Sequence, residues 1–400
     1  MTKAKRSMLC MLNATAIVLY LCFGTVSARA QSTVTITEWA VPAPTNCSFG
    51  LAGASSNVIY FTDAPCGSAA NIGMLNTTTN TVTEWTGTAL NSPQGVVGLG
   101  GLVVFADQNA GTLNMLNIFT NQLTTWTLPT PGSGPLRITA VGVEVFFTEQ
   151  AGRIGKLNLL DNKIMEWTVP GGPNQPLSIA ATADPIWTNW QPGNCARIWF
   201  SQSLGAQLGA LDLTHNTFEQ WTIPSAILPA PFIQGIAVTG RDHLFFGTTG
   251  VVGELEPNAN VLTLWTTPYA GSAPTQLVVR ESGENGSEAE QAFKVDFSDP
   301  PGNDIGRLLT ALQAGTSSTL SVTTTAVAPT VTLVTPTTST LGRTSTVVTP
   351  TITTVGGIVT GGFEEWVVPT SNSNNYALTK LPGRGLAFTE ANGNKIGTLR

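Results

Sequence analysis

The sequence predicts an all-β protein: a seven-bladed β-propeller of four-stranded antiparallel blades, with the last blade closed by the N-terminal strand. Three observations predict this fold. Short alternating segments end in tryptophan at nearly constant spacing, a second strand motif recurs seven times, and charged residues make up only 10% of the chain while Gly (41) and Pro (25) are frequent. Such a composition is typical of many short strands and turns.

The tryptophan motif sets the period of the repeat. Its copies, such as "TVTEW", "IMEW" and "FEQW", end at Trp39, Trp85, Trp126, Trp167, Trp221, Trp265 and Trp366. The separations are 46, 41, 41, 54, 44 and 101 residues. A period of about 45 residues corresponds to one propeller blade. The final separation covers about two periods plus additional residues, which indicates an insertion.

A second motif supplies the two middle strands of each blade. An apolar strand ending in Phe-Thr-Glu or a variant is followed by a polar loop, Ile-Gly and Leu, as in "VEVFFTEQAGRIGKL" and "GLAFTEANGNKIGTL". Val143, Val145 and Phe147 alternate with Glu144 and Thr148, which is the period-2 pattern of a half-buried strand. We therefore expect these segments to be the second and third strands of each blade.

The innermost strand follows a proline and is rich in small residues, as in "SPQGVVGLG" and "GPLRITAVG". Small side chains suit strands that crowd around a central axis. In an antiparallel blade the loop before this strand and the loop after the second strand open on the same face, which we call the channel-mouth face. The unit is therefore read as four strands, from the inner strand to the tryptophan strand.

The two chain ends supply complementary parts of one blade. The last copy, "GRGLAFTEANGNKIGTLR", lacks a tryptophan strand, whereas "QSTVTITEWAVP" near the N-terminus has Trp39 without three strands before it. We predict that the N-terminal strand completes the seventh blade. This pairing would leave no open sheet edge at the seam.

Residues 1–30 resemble a secretory signal peptide, with a basic start, an apolar run over 8–24 and the Ala28-Arg29-Ala30 pattern. An uncleaved membrane anchor is the alternative. We expect residues 31–400 to form a single propeller that is secreted, periplasmic or at the cell surface, without a membrane span after cleavage, and monomeric. Net charge is −6 and no Lys/Arg cluster follows the signal segment, so no nucleic-acid partner is expected.

Two segments interrupt the repeat. The acidic stretch "ESGENGSEAEQ" (281–291) is read as a surface loop. The Thr/Val/Pro-rich low-complexity insertion 314–362 falls between the third and fourth strands of the sixth unit and accounts for the separation of 101 residues. We interpret it as a projecting extended or disordered loop, stalk-like or glycosylated, or alternatively as a long projecting hairpin.

Three cysteines remain after signal removal, namely Cys47, Cys66 and Cys195. Cys47 and Cys66 lie in loops that open on the same face of the first blade, which makes a Cys47–Cys66 disulfide geometrically reasonable. Cys195 precedes a second strand on the opposite face and is expected to be the unpaired cysteine.

The units "FTEQAGRIGKLNLLDNKIMEWTVP" and "FTEANGNKIGTL" closely resemble the repeat of the virginiamycin B lyase (streptogramin lyase) family. The resemblance implies a seven-bladed propeller. It also implies a carbon–oxygen lyase that linearises cyclic depsipeptides by elimination across an ester C–O bond, using Mg²⁺ and histidine at the channel mouth. Such chemistry needs a base for the α-proton and a cation for the developing enolate.

The chain departs from the family where the resemblance places histidines. The positions that begin the inner strands hold Phe49, Gln94, Leu136, Leu177, Gln234, Thr275 and Tyr376. The two histidines, His215 and His243, fall in predicted turns on the opposite face. No catalytic residue is therefore predicted, and Mg²⁺ is implied by the resemblance alone.

The acids that follow the phenylalanine of the second strand have two readings. Asp63, Asp107, Glu149, Asp299 and Glu390 recur at one place in the repeat, which favours hydrogen bonds to a local turn. Alternatively, they form a carboxylate ring at the channel mouth that binds a cation. Arg137 either attracts an anionic ligand at the mouth or forms a salt bridge with Glu149.

The candidate ligand-binding residues are Gln94, Arg137, Glu149, Gln234, Gln276, Tyr376 and Glu390. Three functions remain open. The first is a non-catalytic propeller that binds a small molecule, peptide, glycan or protein at the channel mouth. The second is a lyase with a rebuilt site that acts on a streptogramin B-type depsipeptide. The third is a structural or adhesive surface protein whose Thr-rich insertion is the active part.

Overall fold

A computed structural model describes residues 33–42, 46–65, 70–171, 175–183, 195–202, 206–228, 232–240, 242–269, 271–281, 293–383 and 385–400. Several predictions concern parts of the chain outside this description. They are the signal segment 1–30, the disulfide and the unpaired cysteine (the side chains of Cys47, Cys66 and Cys195), and the acidic stretch after Glu281. In the described part, the strands form seven antiparallel five-stranded sheets, which confirms the predicted seven-bladed propeller. No described helix is long and apolar enough to cross a membrane.

The four predicted strands of each blade are present in the predicted order. From blade 1 to blade 7, the inner strands are β2 (Asn46–Gly53), β6 (Pro93–Leu99), β10 (Pro135–Val141), β14 (Pro176–Ala183), β18 (Gly235–Val238), β22 (Leu277–Glu281) and β33 (Leu378–Lys380). The second strands are β3 (Val58–Pro65), β7 (Leu102–Asp107), β11 (Glu144–Glu149), β15 (Cys195–Gln202), β19 (Leu244–Thr248), β23 (Phe293–Asp299) and β34 (Leu386–Glu390).

The outer half of each blade follows the same order. The third strands are β4 (Asn71–Asn76), β8 (Thr112–Asn117), β12 (Arg153–Asn158), β16 (Gln207–Asp212), β20 (Val251–Glu256), β24 (Asp304–Leu309) and β35 (Lys395–Leu399). The tryptophan strands are β5 (Thr81–Thr86), β9 (Gln122–Thr127), β13 (Lys163–Thr168), β17 (Thr217–Thr222), β21 (Val261–Thr266), β32 (Phe363–Val367) and, for blade 7, β1 (Thr33–Ala40).

The N-terminal strand closes the seventh blade, as predicted. Strand β1 pairs antiparallel with β35, with Trp39 opposite Ile396. Ile36 is fully buried and Trp39 nearly so. The first and last strands of the propeller are therefore neighbours in one sheet.

The insertion 314–362 does not project, and that interpretation is wrong. After a short 3-10 turn, η1 (Thr310–Leu312), it contributes one strand to every blade: β25 (Thr316–Thr319), β26 (Val322–Ala326), β27 (Thr330–Leu333), β28 (Thr337–Thr340), β29 (Gly342–Val347), β30 (Thr351–Gly356) and β31 (Ile358–Thr360). These strands pair with the tryptophan strands of blades 5, 4, 3, 2, 1, 7 and 6, in that order. We call residues 314–362 the belt, because they encircle the propeller once.

The belt has a seven-residue apolar period that matches one blade per step. Its members Leu320, Val327, Val334, Leu341 and Val348 are each separated by seven residues. Their backbone N–H groups donate to the carbonyl oxygens of Asn260, Asn216, Asn162, Asn121 and Asn80, respectively. Their side chains join the apolar clusters between neighbouring blades. Extended Thr and Val residues can thus pair edge to edge around the ring, which explains why a Thr-rich tract is ordered here.

Contacts between blades and within blades account for the two sequence motifs. In five interfaces the indole N–H of one blade donates to an asparagine in the next, as Trp85 Nε1 does to Asn121 Oδ1 at 2.8 Å. Asn121 has a positive φ of 59°. In the Ile-Gly motif, a Cβ at Gly155 would overlap the ring of Phe147 on the adjacent strand. Glycine is therefore required by close packing.

Candidate functional site

The inner strands of all seven blades surround a central cavity. It is lined by Gly50, Leu51, Gly95, Val96, Arg137, Ile138, Ser178, Ile179, Ile236, Gln276, Ala377 and Leu378. Its volume is about 500 Å³, including the solvent at its opening. Most of the lining side chains are small or aliphatic, so the few polar side chains, Arg137, Ser178 and Gln276, determine which ligand chemistry it favours.

Among the described residues that line the cavity, Arg137 is the one with a charged side chain. It lies on the inner strand of blade 3 and donates from Nη2 to Tyr376 Oη, 3.1 Å away, just before the inner strand of blade 7. The guanidinium also lies over the Tyr376 ring, 5.4 Å from its centroid. The structure therefore brings two predicted site residues together from different blades.

The predicted glutamines have different positions. Gln276 lines the cavity. Gln94 is buried, and its side-chain amide donates to Ser92 Oγ at 3.2 Å. Gln234 is half-buried. Neither Gln94 nor Gln234 is part of the described lining, so their ligand-binding role stays a prediction.

Glu149 and Glu390 are fully buried inside blades 3 and 7 rather than in the cavity lining. Burial raises the pKa of Glu149 to about 8, and the nearby carboxylate of Glu166 adds to the rise. The basic neighbour of this pair is Arg153, whose Nη1 lies 3.2 Å from Glu166 Oε2. The basic side chain near Glu149 is thus Arg153, whereas the Arg137 guanidinium donates to Tyr376.

Blade 7 repeats this arrangement. Burial, followed by the carboxylate of Glu38, raises the pKa of Glu390 to about 8. Lys395 Nζ lies 3.4 Å from Glu38 Oε2. The blade thus contains two carboxylates with one basic side chain beside them, as blade 3 does.

Two of the other repeated acids have the local role that the sequence favoured. Asp107 accepts hydrogen bonds from the backbone N–H groups of Asn91 and Ser92, each at 2.8 Å. Asp299 Oδ1 accepts from the N–H of Ala273 at 2.8 Å. Asp63 is fully buried. Asp107 and Asp299 thus hold the loop before the inner strand against the second strand.

Blade 6 contains a buried carboxylate cluster that sequence reasoning missed. The carboxylates of Asp299, Asp304 and Glu365 each offer an oxygen within 4.8 Å of the other two, a spacing that could hold a metal ion. Burial and mutual repulsion raise the pKa of Asp304 to about 7 and that of Glu365 to about 9. The available signal was "NDIGRL", where blade 3 has "GRIGKL" and blade 7 has "NKIGTL".

The two histidines lie on the face opposite the channel mouth, as predicted. His215 Nδ1 is 2.7 Å from Asp212 Oδ2 in an exposed turn between β16 and β17. His243 Nδ1 is 2.6 Å from Glu254 Oε1, just before β19. The described cavity lining contains no histidine and no carboxylate. The lining therefore does not fit the Mg²⁺ and histidine that the family resemblance implies.

The architecture defines a seven-bladed β-propeller with a polar pair at its channel mouth and an additional outer strand on every blade. Its fold is similar to that of virginiamycin B lyase from Staphylococcus aureus, with 18% identity and a TM-score of 0.64 over 91% of this chain and 98% of that one. It is also similar to a streptogramin B lyase, with 17% identity and a TM-score of 0.64 over 92% and 98% of the two chains.

A third structure, YCF48 bound to a D1 peptide, is 9% identical, with a TM-score of 0.55 over 90% of this chain and 93% of that one. No protein-family model and no curated protein sequence matches the chain. At these low identities, the TM-scores show similarity of fold alone.

Proposed function

We propose that this protein is an exported, non-catalytic binding propeller that holds the anionic group of a small molecule or peptide at the channel mouth. The observation that carries the proposal is the position of Arg137. Arg137 lines a cavity to which all seven blades contribute, and it is the one charged side chain in the described lining. A planar guanidinium matches the geometry of a carboxylate or phosphate.

Tyr376 and Gln276 complete the proposed site. The hydrogen bond from Arg137 to Tyr376 holds the guanidinium in one orientation, and a positioned donor loses less entropy when it binds a ligand. Gln276 adds a side-chain amide to the same lining. In a partly desolvated cavity these polar groups act more strongly than they would in open water.

The test uses N-acetylated dipeptides with a free C-terminal carboxylate and the matching carboxamides. We expect the carboxylates to bind more tightly, as measured by calorimetry and by the rise in Tm. Arg137→Gln should weaken carboxylate binding about tenfold or more, since a charge-assisted hydrogen bond contributes about 1.5–3 kcal/mol.

Arg343→Gln is the matched control, because it removes the same charge from an exposed belt position. This control should retain the binding of the native protein. Equal affinity of native protein and Arg137→Gln for the carboxylates would contradict the proposal.

A lyase with a rebuilt site is the second candidate, favoured by the fold shared with the two lyases. Incubation with a streptogramin B and Mg²⁺, followed by mass spectrometry of the depsipeptide, tests it directly. Ring opening that a chelator abolishes would establish the lyase and contradict a purely binding role. An intact depsipeptide would exclude this substrate.

The adhesive hypothesis loses its main support. It depended on a projecting Thr-rich segment, whereas that segment pairs with all seven blades. A surface role would have to use the outer face of the belt, where Val331, Leu333 and Ile352 are exposed.

A further inference from the structure

Blade 6 contains three carboxylates without the basic partner that blades 3 and 7 provide. Asp299 ends the second strand, Asp304 begins the third, and Glu365 lies on the tryptophan strand. All three are at least nine-tenths buried. Carboxylates that are removed from water cost free energy unless a counter-charge or protons neutralise them.

Comparison with blades 3 and 7 shows that Asp304 of blade 6 stands where those blades have a basic residue. Arg153 in blade 3 and Lys395 in blade 7 begin the third strand, at the same register position as Asp304. Each basic side chain lies beside a glutamate of its tryptophan strand. In blade 6 that glutamate is Glu365, but the position of the basic residue holds a third acid. Among the described residues, no lysine, arginine or histidine forms an ion pair with these three carboxylates.

Asn375 provides independent evidence for a ligand at this place. Its side chain is fully buried, and its amide nitrogen donates to the backbone carbonyl of Asp304. This contact holds the amide group beside Asp304, yet Asn375 Oδ1 has no hydrogen-bond partner. One oxygen of each carboxylate, namely Asp299 Oδ2, Asp304 Oδ1 and Glu365 Oε1, is also without one. Four buried acceptor oxygens thus lack a donor.

Space for a ligand is provided by a glycine. A Cβ at Gly302 would lie 2.6 Å from Asp304 Oδ2 and 3.2 Å from Asp299 Oδ2. Any side chain at this position would therefore enter the region where two of the carboxylates converge. The loop keeps this region clear on the side of the backbone.

We propose that blade 6 binds Ca²⁺ through Asp299, Asp304 and Glu365, with Asn375 Oδ1 as a fourth ligand. An all-oxygen set without nitrogen or sulfur selects a hard cation. Ca²⁺ accepts six to eight oxygens in irregular geometry, whereas Mg²⁺ requires a near-ideal octahedron and retains several waters. A buried set of three carboxylates and one amide favours Ca²⁺. Because Asn375 precedes the inner strand of blade 7, the ion would also tie blades 6 and 7 together.

The test uses the full mature chain after treatment with EDTA. Calorimetry should detect one Ca²⁺ per chain, and Tm should rise by several degrees with Ca²⁺ and less with Mg²⁺. Absence of both Ca²⁺ binding and a Tm rise in the native chain would overturn the proposal. A larger response to Mg²⁺ would overturn the choice of ion.

Two variants separate the site from general effects on folding. Asp304→Lys copies the lysine of blade 7, so it should lose Ca²⁺ binding while its Tm in EDTA equals or exceeds that of the native chain. Glu149→Gln changes a buried acid of blade 3 and should bind Ca²⁺ normally. Binding of Ca²⁺ to Asp304→Lys with native affinity would contradict the assignment.

Discussion

Buried carboxylates at one position of the repeat connect the sequence of this protein to its electrostatics. In blades 3, 6 and 7, the acid that ends the second strand lies next to the first residue of the third strand and near a glutamate of the tryptophan strand. When the first residue of the third strand is Arg153 or Lys395, a positive charge partly offsets the two acids. Among these three blades, the first residue of the third strand therefore decides between a partly neutralised pair of acids and the carboxylate cluster of blade 6.

The raised pKa of Glu149 predicts how the stability of the protein depends on pH. Its pKa is about 8 in the folded protein, against an ordinary value of 4.5. Between these values the folded state retains a proton that the unfolded chain has released, so stability falls as pH rises from about 5 to 8. Glu149→Gln keeps the shape without the charge. It should be more stable than the native protein near pH 9, by about 1–3 kcal/mol, with a smaller difference near pH 5.

The measurement is urea denaturation across pH 5–9. The charged neighbours of Glu149 are Glu166 and Arg153, and both remain in the variant. Asp161→Asn is the control, since the pKa of Asp161 is lowered by Lys163 in an exposed turn and it should not alter this slope. An identical pH dependence in Glu149→Gln and the native protein would contradict the assignment.

At the scale of the element, the belt is the feature that most changes the interpretation of the sequence. Each seven-residue step places one apolar side chain between two blades, and Leu320 and Leu341 are nearly fully buried. Each step also covers an outer strand that would otherwise expose its backbone groups. The belt thus supplies both packing and edge protection.

Removal of the belt should lower the stability of the propeller. Leu309 N–H donates to the carbonyl of Gly362, so the two ends of the excursion already meet. Residues 310–361 can therefore be replaced by the four-residue turn 159–162 of blade 3. The variant should fold, but it should lose at least about 4 kcal/mol of stability, because two buried leucines contribute about 2–3 kcal/mol each.

Chemical denaturation and size-exclusion chromatography provide the measurement. We also expect association of the variant, because six outer strands and β1 would present unpaired edges. Replacement of exposed Val331 and Leu333 by Thr is the control and should change stability little. A belt-free protein that is as stable as the native chain and elutes at the same volume would show that the belt is dispensable.

At the scale of the whole molecule, strand β1 closes the ring of blades and also pairs with the belt that surrounds it. Strand β1 lies between β35 of the same blade and β30 of the belt, with registered pairs on both sides. Trp39 Nε1 then donates to Asn80 Oδ1 of blade 1 at 2.9 Å. The N-terminal strand therefore joins the C-terminal strand, the belt and the first blade.

Deletion of residues 33–39 should destabilise the entire propeller. It removes Ile36 and Trp39, which together contribute at least about 4 kcal/mol by burial, and it opens the seam. Thermal unfolding should show a lower Tm that a synthetic peptide of residues 33–42 raises again. A chain that lacks only residues 1–32 is the control, and unchanged melting of the 33–39 deletion would contradict this account of closure.

The repeat made the propeller predictable, because the tryptophan spacing, the recurring Phe-Thr-Glu and Ile-Gly motifs and the incomplete copies at the two chain ends can all be read from the linear sequence. The candidate site was less predictable. Arg137 and Tyr376 are 239 residues apart in sequence, and nothing local indicates that they meet. One alternative placed Glu149 and Glu390 at the channel mouth, but both side chains are fully buried inside their blades.

The sequence by itself determined the blade count, the order of strands in each blade, the seam at β1 and the absence of histidine where the inner strands begin. These properties follow from residue type and period alone. Only the tertiary structure decided the course of the belt, the pairing of Arg137 with Tyr376 and the convergence of Asp299, Asp304 and Glu365. Each of these brings together residues from separate strands, either by strand pairing within one blade or by the arrangement of blades around the ring, and a linear pattern does not specify those distances.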